Sequence, residues 1–208
     1  AEFPELSDRM VLAADGHSIK HACHAPKGPN RKFNPSESVF MLDLHAGLCQ
    51  SVAAVGDASR KGHDWFAFKE SFPDIRKSMP HRKNDPIIVY DRAGVDKYFW
   101  AEQKLFAEAK TEFITRTKSN MKFTINEPLS FDADLPINVG ITGVSMIGLS
   151  NSITMRLVSY TDPESGKSYQ YITTNWDLEP GLIAWLYFLR WRIEKVFDVF
   201  KNRYVEKK

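Results

Sequence analysis

Hydrophobic and polar positions alternate along this chain in short blocks, and most of the apolar blocks have the length of a strand. Met10–Ala14 is an apolar run closed by Asp15-Gly16, which predicts a buried strand stopping at a turn. The wording SVFMLDLHA followed by CQSVAAVG predicts two strands joined around His45 to Leu48 as a hairpin, with Asp43 between apolar neighbours. In GHDWFAFKESF, Trp65, Phe68 and Phe72 recur at helical spacing, so a helix is expected there with Asp64 in its first turn and the rings on the core side. Ile87 to Tyr90 is a continuous β-branched and aromatic run, as expected of a strand buried on both faces, and it ends at Asp91. Gly94 should then turn the chain into a helix from about Val95 to Ala109. EFITRTK, Glu112 to Lys118, predicts a fifth strand. From Ser119 to Asn151 charges thin out and Thr, Ile, Val, Gly and Ser dominate, which is β-type sequence. A hairpin around Pro163 to Gly166 follows, and Asp177 to Pro180 leads into a last helix, Leu182 to Lys201. The pattern as a whole is that of an α/β chain.

The last helix carries the sharpest pattern. At about 100° per residue, with Tyr187 as zero, Arg190 falls near 300°, Glu194 near 340° and Lys201 near 320°, an arc of roughly 60°. Leu186, Leu189, Ile193, Val196, Phe197 and Phe200 occupy roughly 180° to 280°, so an apolar stripe lies beside the polar one. Spacing alone explains Arg190 and Glu194 as an i,i+4 surface pair worth a few tenths of a kcal/mol.

Composition narrows the picture without deciding it. The chain has 208 residues, 43% of them hydrophobic and 26% charged, enough for one substantial core with an inserted lobe. Apolar runs stay short of the ~18 residues of a membrane span and the opening AEFPELSDRM does not read as a signal peptide, so a cytoplasmic protein is expected. The net charge of +2 is weak support for a polyanionic partner. Its distribution says more, because Lys27, Arg31 and Lys32, then Arg76, Lys77, Arg82 and Lys83, then Arg116, Lys118 and Lys122 cluster on predicted loops or strand ends. Two cysteines, Cys23 and Cys49, make no disulfide framework. His17, His21, His24 and Cys23 invite a zinc site, but their spacing matches no CxxC…HxxxH pattern, and as a strand they would point to both faces.

The string YFLRWRIEKVFDVFK, with Tyr187, two residues, Arg190, three residues, Glu194, six residues, Lys201, resembles the Y-(2)-R-(3)-E-(6)-K signature of the IS4 family of DDE transposases. The segment IIVYDRAG and the string Gly62-His63-Asp64 resemble the family as well. The resemblance implies an RNase H-like mixed sheet flanked by helices, with a β-rich insertion before the last helix. On that basis 1–118 would be the first part of the core, 119–155 the insertion, and 156–208 the return strands and the catalytic helix. It implies Asp15, Asp91 and Glu194 as catalytic residues and metal ligands, with Asp43 as a rival for the first position. Asp15 is preferred because a strand end opens a side chain to solvent and metal. It implies Tyr187, Arg190 and Lys201 as contacts to the transposon end, with Arg116 and Lys118 available to DNA from the fifth strand.

Three carboxylates ionise together only where cations offset them, so such a trio implies divalent metal. Mg²⁺, with Mn²⁺ as a substitute, suits oxygen ligands, and two ions can serve an in-line phosphoryl displacement. The activity implied is cleavage and strand transfer at double-stranded transposon ends, by a protein associated with the nucleoid when on DNA. Relatives usually carry an N-terminal DNA-binding region and a C-terminal dimerisation region, so an excised catalytic domain or truncated gene is expected, monomeric and inactive by itself, whose full-length form dimerises on DNA. The competing expectations are a nuclease of the same fold that does not join, and an inactive domesticated DNA-binding module.

Overall fold

The computed structural model describes residues 3–19, 36–55, 63–80, 82–105, 107–108, 110–149 and 153–205. In chain order its main elements are β1 (Val11–Ile19), β2 (Ser36–Asp43), β3 (Cys49–Ala54), α1 (His63–Ser78), β4 (Ile87–Tyr90), α2 (Lys97–Leu105), β5 (Glu112–Arg116), β6 (Thr124–Pro128), β7 (Ile141–Leu149), β8 (Ile153–Thr161), β9 (Ser168–Thr173), α3 (Pro180–Leu189) and α4 (Trp191–Val199). The strands are hydrogen-bonded in the order β3-β2-β1-β4-β5-β9-β8-β7-β6. The β3-β2-β1-β4-β5 stretch, antiparallel between β2 and β3 and parallel between β4 and β5, is the expected RNase H-like mixed sheet. By contacts the chain forms two compact units, Ala1–Leu12 with Arg82–Leu189, and Ala13–His81 with Arg190–Lys208.

The first unit is built on β4 and β5. All four residues of β4 are buried, and the parallel pairing Ile87↔Glu112, Ile88↔Phe113, Val89↔Ile114 requires the crossover that α2 supplies. The Met10 carbonyl accepts from the Ile87 amide at 2.8 Å, which places the start of β1 on the other side of β4. Asp96 caps α2 through its bond from the Phe99 amide, and Trp100 donates its ring N–H to the Gly94 carbonyl while stacking on Phe113 at 4.7 Å. The β-type stretch forms β6 and β7, β8 continues the antiparallel succession, and β9 joins β8 to β5. Every residue of β6 is exposed, and Pro128 suits its place in that edge strand. The apolar helix α3 packs on β4, β5, β7, β8 and β9, burying Leu182, Ile183 and Leu186.

In the second unit β2 and β3 form the expected hairpin, turned by Gly47 at φ +69°. Helix α1 packs on both strands and buries Trp65, Phe68, Phe72 and Ile75. Helix α4 buries Ile193 and Phe197, with Phe40 5.5 Å from the Phe197 ring and His17 stacked on it at 4.3 Å.

Three expectations about local structure are corrected. First, β1 does not stop at Asp15-Gly16 but runs through both to Ile19. The left-handed glycines among the described residues are Gly47, Gly140 and Gly166, and Gly16 is not one of them. A Cβ on Gly16 would stand 2.5 Å from Asp64 Cβ, so this glycine permits α1 to approach β1 and does not make a turn. Second, Asp43 is the strand-end acid, and it is occupied with the turn: its Oδ1 accepts from the His45 and Ala46 amides at 2.8 and 2.9 Å. Third, the last helix is interrupted. Arg190 keeps helical angles, φ −50° and ψ −35°, but the Ile193 amide bonds its carbonyl three residues back, and α3 gives way to α4 at this residue. Phe200–Val205 continues with π-helical bonding.

Candidate active site

Arg190 is the organising side chain of the second unit's polar cluster. Only 4% of the residue is exposed, and a guanidinium so buried is costly unless paired. Its Nη1 donates to Asp15 Oδ2 at 3.1 Å and its Nη2 to Glu194 Oε1 at 3.0 Å, so one cation spans two acids. The Asp15 and Glu194 side chains are 20% and 38% exposed against 5% for Arg190, which leaves the carboxylates more open to solvent than the cation holding them. Strand β1 supplies Asp15, whose Oδ1 accepts from the Gly16 amide at 2.9 Å. The interruption between α3 and α4 supplies Arg190, and the first turn of α4 supplies Glu194. Beneath the guanidinium the Trp191 ring lies with its centroid 5.5 Å away.

Asp91 belongs to the first unit, immediately after β4. It caps the short 3-10 turn Arg92–Gly94, its Oδ1 accepting from the Ala93 amide at 2.7 Å. Its carbonyl accepts from the Thr115 hydroxyl at 2.8 Å, fixing the mouth of β4 against β5. The half-buried carboxyl is therefore held at a strand mouth, as the sequence led us to expect.

The remaining expected contacts are spread over both units. Tyr187 in the first unit is 8% exposed, with its ring 5.0 Å from that of Tyr171, so its aromatic body is part of the packing beneath α3. Arg116 is half-buried and lies over the Tyr169 ring at 4.9 Å, and Lys118 is exposed beyond the end of β5. In the second unit Lys201 is exposed. His17 is buried against Phe197, where desolvation and the nearby Lys201 charge lower its pKa against the opposing effect of Asp198. His21, His24 and Cys23 lie outside the described residues. Cys49 is a free thiol whose pKa burial raises.

Sequence reasoning missed a buried polar network in the first unit. Glu112, 2% exposed at the start of β5, accepts from Arg9, Lys104 and Asn175. The signal was an acid opening a strand whose next two residues, Phe113 and Ile114, are apolar. Arg192 was missed as well; it donates to the Leu44 carbonyl at 3.1 Å and ties α4 to the β2–β3 turn, a contact that no local pattern announces.

Among the described residues, neither unit holds three or more His, Cys, Asp or Glu side chains arranged to bind a metal ion. The donor chemistry at Asp15 and Glu194 nonetheless fits Mg²⁺ or Mn²⁺: two hard carboxylate oxygens are gathered around one positive charge, and both remain partly open to solvent.

The fold is mixed α/β, with Asp15 of β1 and Glu194 of α4 on one guanidinium, and comparison supplies the family. Residues 6–207 match the family described as Transposase DDE domain, and the chain belongs to it. No curated protein matches. Among solved structures the chain is similar to one described as a piggyBac transposase synaptic complex with hairpin DNA, at 12% identity and a TM-score of 0.49, covering 94% of this chain and 40% of that one. It is also similar to Endonuclease V from Streptomyces avermitilis, at 12% identity and a TM-score of 0.36, covering 87% of this chain and 71% of that one.

Proposed function

We propose that this chain is the catalytic part of a transposase that cuts DNA at transposon ends and joins the freed end to target DNA, using divalent metal held by Asp15, Asp91 and Glu194. The observation that carries the reading is the convergence of Asp15 and Glu194, from opposite ends of a transposase-family chain, on the single guanidinium of Arg190. Mg²⁺, or Mn²⁺ in its place, would supply Lewis acidity to the attacking and leaving oxygens of phosphoryl transfer. Asp15 and Glu194 present carboxylates at a partly open surface, and Asp91 presents one whose Oδ1 accepts from the Ala93 amide while its carbonyl accepts from the Gly94 amide and the Thr115 hydroxyl. Arg190, Lys201, Arg116, Lys118 and the Tyr187 hydroxyl are assigned to DNA, the cations holding phosphates beside the one that reacts. In the first unit, β6 and β7 lie within 119–155, the stretch assigned to the β-rich insertion.

The test is cleavage of end-sequence DNA in Mg²⁺ or Mn²⁺ by the chain and by Asp15→Ala, Asp91→Ala and Glu194→Ala, with circular dichroism to check folding. Each substitution should reduce cleavage to background in a folded protein. Retained cleavage in any one of them would transfer that role to another acid. Formation of joined product separates a transposase from a nuclease that only cuts.

A further inference from the structure

The same guanidinium that gathers the acid pair also stands in the way of a metal ion. Arg190 places a different terminal nitrogen on one oxygen of each carboxylate, and the other Asp15 oxygen accepts from the Gly16 amide, so a divalent ion taking both carboxylates as ligands competes with bonds already made. Its side chain is the most buried of the three, so its charge is poorly screened and acts strongly on anything binding the same oxygens. A guanidinium and a divalent cation cannot share two carboxylates at this range without repulsion. We infer that Arg190 is the built-in counter-cation of the Asp15–Glu194 pair, which a metal ion has to displace before it can bind there. This inference rests on the proposed reading of Asp15 and Glu194 as metal ligands.

Arg190 is therefore a positioning residue: it holds the Asp15 and Glu194 carboxylates side by side. Once displaced, a guanidinium is well suited to bidentate phosphate contact. DNA and metal then favour the same rearranged state, and each raises the affinity of the other by the same factor.

The test is Mn²⁺ binding to the 208-residue chain without DNA, followed by the electron paramagnetic resonance signal of free Mn²⁺. Arg190→Gln keeps much of the side-chain length and removes the charge. It should bind Mn²⁺ about tenfold or more tightly than the unaltered chain, the scale by which a neighbouring charge shifts an ionisable group. Adding Asp15→Asn to Arg190→Gln should abolish the gain. Unchanged or weaker binding by folded Arg190→Gln overturns the inference and leaves the metal-ligand reading standing. A gain that survives both Asp15→Asn and Glu194→Gln overturns the metal-ligand reading, and the inference with it. If Arg190→Gln does not fold, side-chain ¹⁵N spectra of the unaltered chain decide: Mg²⁺ titration should shift the Arg190 Nε–H resonance, and a resonance unmoved by saturating Mg²⁺ overturns the displacement.

Discussion

A buried charge persists only where its partners are in place, and two sets of residues in this protein follow that rule to different ends. In the first, Arg190 lies between acids that stay 20% and 38% exposed, an arrangement open to exchange with solvent ions. In the second, Glu112 is 3% exposed at its side chain and accepts from Arg9, Lys104 and Asn175, an arrangement with little access from outside. The second set makes a pH prediction. Burial lowers the Lys104 pKa, but the Glu112 and Asp85 carboxylates outweigh it and raise the net value above that of an ordinary lysine. A pKa raised on folding gives stability that is complete below the unfolded value, about 10.4, and is lost as pH rises through the folded value. Urea midpoints at pH 9 and pH 11 should show a larger alkaline loss in the unaltered chain than in Lys104→Met. Tyr171, whose pKa burial also raises, contributes equally to both and cancels from the difference. Equal losses would mean that the ammonium is not held as described.

At the scale of elements, the approach of α1 to β1 and the interruption of the last helix shape the acid cluster. Gly16 has the spacing of a turn residue and the work of a spacer: with no side chain, it leaves room for Asp64 in the first turn of α1. Gly16→Ala should overpack that contact and cost about 1–3 kcal/mol, read as a lower urea midpoint with an unchanged slope. An unchanged midpoint would show that α1 can shift without loss. At the other element, the wheel drawn through Leu182 to Lys201 assumed constant α geometry. The bond from the Ile193 amide to the Arg190 carbonyl tightens the ladder at the residue the two carboxylates hold, and the change to π bonding at Phe200 alters the pitch again. Arg190 and Glu194 remain neighbours because they are four residues apart within one turn of helix, whereas the phase of Tyr187 and Lys201 relative to them no longer follows from counting.

At the scale of the whole molecule, no described helix is long and apolar enough to cross a membrane, and the net charge is only +2. On the proposed function, affinity for DNA would come from where the cations stand. Arg116 closes β5 over a tyrosine ring, and Lys118 is exposed just beyond it. If each neutralises one phosphate, Arg116→Ala and Lys118→Ala should each reduce the slope of log affinity against log salt by about 1. Fluorescence anisotropy with labelled end DNA across a salt series measures this, and an unchanged slope in both variants would remove β5 from the interface.

Much of this architecture was legible before any coordinates. The β2–β3 and β8–β9 hairpins, the aromatic face of α1, the buried β4 with Asp91 at its mouth, and the neighbouring Arg190 and Glu194 all follow from periodicity and short-range spacing, because local burial and turn chemistry are written within a few residues. The spacing from Tyr187 to Lys201 was enough to point to the family. What tertiary structure alone decided is of another kind: that β1 runs on past Asp15, that Gly16 is a spacer, that Tyr187 packs its ring against Tyr171, that Glu112 anchors a buried network, and that Arg190 reaches Asp15 as well as Glu194. Each depends on which distant elements come into contact, and the energy of a buried charge or of a missing Cβ is set by the partner across that contact, which no local pattern contains.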